Sequence, residues 1–391
     1  MRSSVGRSVE RGLACLAVTL AVALNGAVPV NAQSAAAAAE TLSVPVLVPI
    51  TGFLSLEGTS QRNGALLALG MAPPGAAAVV TEVIDTATSP EAAVTAFERA
   101  LDRPGVIAMV GSMLGTQMLA MLPLADEHKV PVITVSGTAA VTERGSNHVF
   151  RFFPADPIAK LAHARYVVET LGARRPALIT QTTAYGQSGR NHLMTHLRAL
   201  GAEPVFDDAL DPGVKDMTPV IAKALAANPD VLVLHLHSGP TALFIRQAAL
   251  MRAAVPIVAG SAMHQPSTAA LLEPSELKGV CAETASSPIS QDSAGTAEFV
   301  AEYRARFGSE PDAFALGQYD GVNMVLSAIA NGATTADAVR SALATGSHRG
   351  LAMTYRSDGR GNMAHAAVIV CYDGESRIPA IVRRYDSLGL P

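Results

Sequence analysis

Residues 106–138 read VIAMVGSMLGTQMLAMLPLADEHKVPVITVSGT, and this stretch decides the fold. Its two ends, 106–110 and 131–135, are short and nearly continuous in apolar residues, as parallel strands covered on both faces are. The dozen residues between them carry a helical pattern, so the stretch reads as a βαβ unit. Each strand run ends in small or hydroxylated residues: Gly111-Ser112-Met113-Leu114-Gly115-Thr116 after the first and Ser136-Gly137-Thr138 after the second.

Working outward, the same alternation recurs. Strand-like runs appear at 41–48, 79–84, 177–180, 205–206, 231–236 and 256–259. Among the helices between them, one shows its signals in full: Ser89 caps, Pro90 fills the first turn, Glu91 complements the dipole, and Val94, Phe97 and Leu101 recur before Pro104-Gly105. Residues 186–200 and 240–251 repeat the logic. The tail differs, because 366–371 and 378–382 flank Asp373-Gly374-Glu375-Ser376 and read as a hairpin. The fold class is α/β with parallel sheets, and 391 residues suit two lobes better than one.

Hydrophobic residues make up 49% of the chain, charged residues 16%, and the formal net charge is −4, which argues against disorder and against a nucleic-acid partner. Arg2, Arg7 and Arg11, an apolar run over 13–24 and Val30-Asn31-Ala32 form a secretory signal over 1–32, cut after Ala32. The apolar run is short for a membrane span, and Gly12-Leu13-Ala14 before Cys15 is a poor lipidation context. Residues 33–40 read as an Ala-rich leader. The mature chain is therefore expected in the periplasm, where disulfides persist. Cys281 and Cys371 remain; a bridge between them does not follow from spacing, and the favoured reading is two unbonded small hydrophobes on strands.

In open sheets, ligands sit beyond the carboxyl ends of the strands, at helix N-termini. That places attention on the two turns above, on Thr182-Thr183-Ala184-Tyr185 and on His237-Ser238-Gly239. Ordinary N-capping accounts for Ser and Thr at such turns equally well. His235-Leu236-His237 puts two imidazoles on one face, as metal-dependent hydrolases require, with His264 a third candidate, yet no supporting ligand set accompanies them. Gly111 and Gly115 lack the partners of a nucleotide loop, and Gly186-Gln187-Ser188-Gly189 is not G-x-S-x-G. The expectation is a chain that is not an enzyme and holds no cofactor or metal, with a hydrolase using His235 and His237 as the alternative.

Several ordered segments carry a family likeness: Val48-Pro49-Ile50-Thr51-Gly52, Val110-Gly111-Ser112, Val130-Pro131-Val132-Ile133-Thr134-Val135-Ser136, Ala184-Tyr185-Gly186 and Tyr319-Asp320-Gly321. Over most of 41–385 the chain resembles the leucine/isoleucine/valine-binding protein family of periplasmic binding proteins. That resemblance implies the type I periplasmic binding fold, two doubly wound parallel-sheet lobes joined by a three-segment hinge. Lobe one would combine 41–156 with 286–352, lobe two 157–285 with 353–391, with crossings near 154–157, 285–288 and 352–355.

The resemblance also implies a monomeric substrate-binding protein of an ABC importer, partnered by an inner-membrane permease. A sensor of the same fold is the alternative. The ligand would be a branched-chain amino acid or a related small carboxylate or amide, its carboxylate meeting Gly115, Thr116 and Thr138. Its amino group would meet the Ser136 carbonyl, the Thr138 hydroxyl and an acid, but Ala262 stands at the acidic position. Tyr185 matches an aromatic covering the ligand, His237 replaces another, and Phe314 matches one that touches its side chain. Glu57 lies where the family often has an aromatic residue, and offers a replacement for the missing charge.

Overall fold

The short apolar runs assemble into two main sheets in the computed structural model, which describes residues 41–70, 79–291 and 293–389. The expected signal over 1–32, with Cys15, and the Ala-rich leader lie outside the described residues. The first sheet holds Val46–Val48, Val83–Asp85, Met109–Val110, Val132–Thr134 and Val149–Arg151, all parallel. Numbered along the chain, their order across the sheet is 2-1-3-4-5, the flavodoxin-like doubly wound order.

Alternate side chains leave opposite faces of a strand, and both faces here are covered. Val46, Val48, Val110 and Ile133 pack under the helices Ser55–Gly70 and Ala313–Ala330. Leu47, Met109 and Val132 face Phe97, Met118, Met121 and Leu122 from Pro90–Leu101 and Gly115–Glu127. The Ser89 hydroxyl accepts from Ala92 N at 3.2 Å, and Ala93, Ala96, Phe97 and Ala100 form the buried stripe. Full burial of Phe97 alone stabilises by about 2–3 kcal/mol.

The second sheet repeats the plan. Pro176–Gln181, Phe206–Leu210, Val231–His235, Ile257–Ala259 and Val280–Thr284 are parallel, again in the order 2-1-3-4-5. Leu232 and Leu234 pack on Phe244 and Ile221, while Leu178, Val231 and Val233 pack on Leu193 and Leu197. The strand expected at 205–206 runs instead over Phe206–Leu210. Its Asp207 and Asp208 interrupt the apolar pattern, because this edge strand is half-buried and Asp207 pairs with Arg190.

The tail hairpin consists of Ala367–Cys371 and Ala380–Tyr385, added antiparallel beyond Val280–Thr284. Its register corrects the reading of the cysteines. Cys281 and Cys371 stand directly opposite each other on paired strands and form a disulfide. Both lie on strands as expected, but the antiparallel return brings them together across 90 residues.

Between the sheets the chain passes from Val149–Arg151 into the helix Asp156–Arg165, from Val280–Thr284 into Ala294–Phe307, and back through the small pair Ser347–Arg349 and Thr354–Arg356.

Candidate functional site

The carboxyl ends of both sheets face one another, and the loops there enclose a cavity of about 10 Å³. That is room for about one water. Met113, Gly137, Phe153 and Phe314 line it from the first half; Asp156, Ala159, Tyr185, His237, Ser261 and Glu283 line it from the second. A hollow of about 420 Å³ lies at the chain crossings, bordered by Ser286, Arg356, His365, Arg384 and Asp386.

On the first side, Gly115 and Thr138 are in contact. A Cβ on Gly115 would lie 2.0 Å from Thr138 Oγ1, so only glycine admits the threonine there. The Ser136 and Thr138 hydroxyls are buried and have no hydrogen-bond partner. Behind them the buried Arg151 donates to the carbonyls of Gly137 at 2.8 Å, Thr138 at 2.9 Å and Ala139 at 3.3 Å, fixing the loop and placing a positive charge beneath it. Burial lowers the Arg151 guanidinium to about 10, where it remains charged at neutral pH.

The opposite side is acidic. Asp156 opens its helix and Glu283 lies within the strand Val280–Thr284. Lys160 Nζ donates to Glu283 Oε1 at 2.8 Å, and Ser261 N reaches the same oxygen at 3.1 Å. Asp156 Oδ2 and Glu283 Oε2 remain buried and without partners. Burial pushes the Asp156 carboxyl up to about 7, against the pull of Lys160. A Cβ on Gly137 would lie 3.2 Å from Asp156 Oδ1, so the acid and the hydroxyl-bearing loop border the same space.

Aromatic groups form the remaining walls. Phe153 and Phe314 stack with centroids 4.8 Å apart. Tyr185 lies between His235 at 3.8 Å and His237 at 5.0 Å. Burial keeps both imidazoles neutral, His237 falling to about 4 and His235 well below its usual range. His235 Nε2 bonds the Tyr185 carbonyl at 3.1 Å, and among the described residues no group of three or more His, Cys, Asp or Glu is arranged to hold a metal.

Of the sequence-selected residues, Tyr185, His237 and Phe314 therefore line the cavity; Ser136 and Thr138 flank the lining residue Gly137, and Gly115 touches Thr138, but these three are not on its wall. Thr116 is half-buried in the first helical turn and does not line it. Glu57 lies outside the cavity wall and bonds Ser238 instead. Ala262 is buried beside Ser261, and the nearby acids are Glu283 and Asp156, which sequence reading passed over.

Residues 41–375 match the family model for periplasmic binding proteins. The chain belongs to the periplasmic binding protein family. This binding protein is 24% identical over 312 residues to the Leu/Ile/Val-binding protein BraC3 of Rhizobium johnstonii, covering 78% of this chain and 84% of that one. It is 29% identical over 170 residues to an amino acid binding protein of Pseudomonas aeruginosa, spanning 42% of this chain and about half, 46%, of that relative. Among solved structures it resembles a leucine binding protein LivK from Thermotoga maritima, with TM-score 0.80, 24% identity, and 88% and 99% of the two chains covered. It also resembles a solute binding protein of an ABC transporter from Rhodopseudomonas palustris in complex with 3,4-dihydroxybenzoic acid, with TM-score 0.79, 21% identity, and 90% and 99% covered. At these identities the structural likenesses establish the fold alone. Among the described residues, no helix of this binding protein is long and apolar enough to cross a membrane.

Proposed function

We propose that this chain captures a small amino acid in the periplasm and presents it to an ABC importer, without catalysing a reaction. The two lobes expected from the sequence would move about the three crossings, with the first boundary falling just before Asp156 so that the helix Asp156–Arg165 travels with the second lobe. The observation that carries the ligand class is a pair of partner-free carboxyl oxygens on cavity-lining residues, Asp156 Oδ2 and Glu283 Oε2, together with two partner-free hydroxyls, Ser136 and Thr138, on either side of the lining residue Gly137. A zwitterion fits both ends. Its carboxylate would accept from the hydroxyls above Arg151, and its ammonium would donate to the acids. Burying an ammonium without a partner costs several kcal/mol, so the acids supply what Ala262 does not. Phe153, Phe314 and Met113 favour an apolar side chain.

A second reading, an aromatic acid lacking the amine, is favoured by the same aromatic walls and by the relative bound to 3,4-dihydroxybenzoic acid. Calorimetry with the common L-amino acids, their des-amino acids and substituted benzoates separates the two. On the amino-acid reading an L-amino acid binds more tightly than its des-amino counterpart, and Asp156→Asn weakens it by about ten- to a hundredfold. Tighter binding of the des-amino acid or benzoate would overturn the amino-acid reading.

A further inference from the structure

Four side chains bridge the halves outside the ligand cavity. Glu57 lies in the first turn of Ser55–Gly70 and Asp312 caps Ala313–Ala330; these helices pack so closely that a Cβ on Gly64 would lie 2.1 Å from the Ala315 carbonyl oxygen. Ser238 and Gln265 come from the other half. All four are buried, at 1%, 2%, 2% and 0% exposure for Glu57, Asp312, Ser238 and Gln265. Gln265 Nε2 donates to Asp312 Oδ2 at 2.8 Å, Ser238 Oγ touches both Gln265 Oε1 and Glu57 Oε1, and Ser238 N reaches Glu57 Oε1 at 3.2 Å.

This chain of contacts has a definite proton count. With the amide as placed, Gln265 Oε1 accepts the one Ser238 hydroxyl proton, so Ser238 Oγ must in turn accept from a protonated Glu57. With the amide turned over, Gln265 donates to Ser238, Ser238 donates to an ionised Glu57, and Gln265 Oε1 must accept from a protonated Asp312. Either way one proton resides on two carboxyls. We propose that closing the cleft takes up one proton, held between Glu57 and Asp312 through the Ser238–Gln265 relay. This rests on the reading that the halves open and close, and it concerns closure alone.

The surrounding groups favour that proton. Burial raises the carboxyls of both Glu57 and Asp312, and the charge of Asp312 raises Glu57 further. His237 and His264, next to the two relay residues, are held near 4 by burial and bring no positive charge. Tyr185 is raised well above its usual value and Tyr303 is pushed up to about 12, so both remain neutral. Glu310, which borders the same groove as Asp312, pairs outward with Arg304. In the open form water restores ordinary carboxyl values near 4. Closure is therefore favoured at low pH and weakens as pH rises, by at most about tenfold per pH unit for one proton.

Small-angle scattering of the ligand-free mature chain between pH 5 and 8 tests this. The wild type should lose its compact form with rising pH along a profile one proton steeper than that of Glu57→Gln, whose amide donates to Ser238 at every pH. Any residual slope in the variant reports Asp156. Asp312→Asn supplies the donor at the other end and should flatten the profile equally, which guards against a folding defect in either variant. Ser238→Ala should stay expanded at pH values where the wild type is compact. Identical profiles for the wild type and both amide variants, including a shared absence of pH dependence, would overturn the inference. Because no ligand is used, failure to bind an amino acid leaves this result intact.

Discussion

Lys160 and Glu283 are joined at 2.8 Å with 1% of either side chain exposed, although 123 residues separate them. The pair ties the helix Asp156–Arg165 to the strand Val280–Thr284 and fixes the carboxyl that borders the cavity. A buried pair of this kind gains little net stability over apolar groups, but removing one partner leaves a buried charge alone.

Lys160→Met should therefore destabilise the fold by about 3–5 kcal/mol in urea unfolding, and the double variant Lys160→Met with Glu283→Gln should recover most of that loss. Glutamine keeps the acceptor for Ser261 N. If the double variant is no more stable than Lys160→Met alone, the cost does not come from the stranded carboxylate.

Asp156 gives a pH signature. Its folded value of about 7 is above the ordinary 3.8, so the unfolded chain releases this proton first as pH rises. The stability it contributes is complete below about pH 4 and declines through the window up to about 7. Asp156→Asn should remove that decline: its stability relative to wild type should grow from pH 4 to pH 7 and then level off. Denaturant midpoints across that range read the difference, and parallel curves would show that Asp156 is ionised throughout.

The disulfide closes a loop across 90 residues and holds the tail hairpin to the second sheet. Cys281→Ser with Cys371→Ser should cost about 2–4 kcal/mol, and reductant should reproduce the loss in the wild type. A shift in urea midpoint worth less than about 0.5 kcal/mol would mean that strand pairing alone holds the hairpin.

These residues also mark where reading the sequence stops. Strands such as Val132–Thr134 and Val231–His235 are legible because burial on both faces demands unbroken apolar runs. Asp156 and Lys160 are not, because an acid in the first helical turn with a lysine four residues on is the pattern of an exposed, dipole-compensating pair. Only packing of the other elements around this helix buries both side chains. Glu283 is hidden for the opposite reason, as one polar residue inside an apolar strand whose partner is remote in sequence. The strand positions of the two cysteines are legible from their apolar surroundings, but the register that bonds them depends on a hairpin returning from the far end of the chain. Tyr185, His237 and Phe314 came from family likeness, and the geometry places all three on the cavity wall.

The contact between Gly115 and Thr138 separates site from scaffold. An added Cβ on Gly115 meets Thr138 Oγ1 at 2.0 Å, Cβ at 2.7 Å and Cγ2 at 3.0 Å, all in one side chain. Gly115→Ala should therefore cost about 1–3 kcal/mol of stability through overcrowding, and adding Thr138→Ala should return part of it, since two of those three atoms disappear. Thr138→Ala alone should leave stability unchanged or slightly raised, because it deletes a buried hydroxyl that has no partner. Binding should respond in the other sense. Each variant lacking the hydroxyl should lose about ten- to a hundredfold in affinity for an amino acid that the wild type binds, whether or not the fold has recovered. Thermal unfolding and calorimetry on the same three proteins give both readouts. Affinity that follows stability across the set would make Thr138 a packing residue, whereas loss of affinity in the stable Thr138→Ala protein assigns its hydroxyl to the ligand.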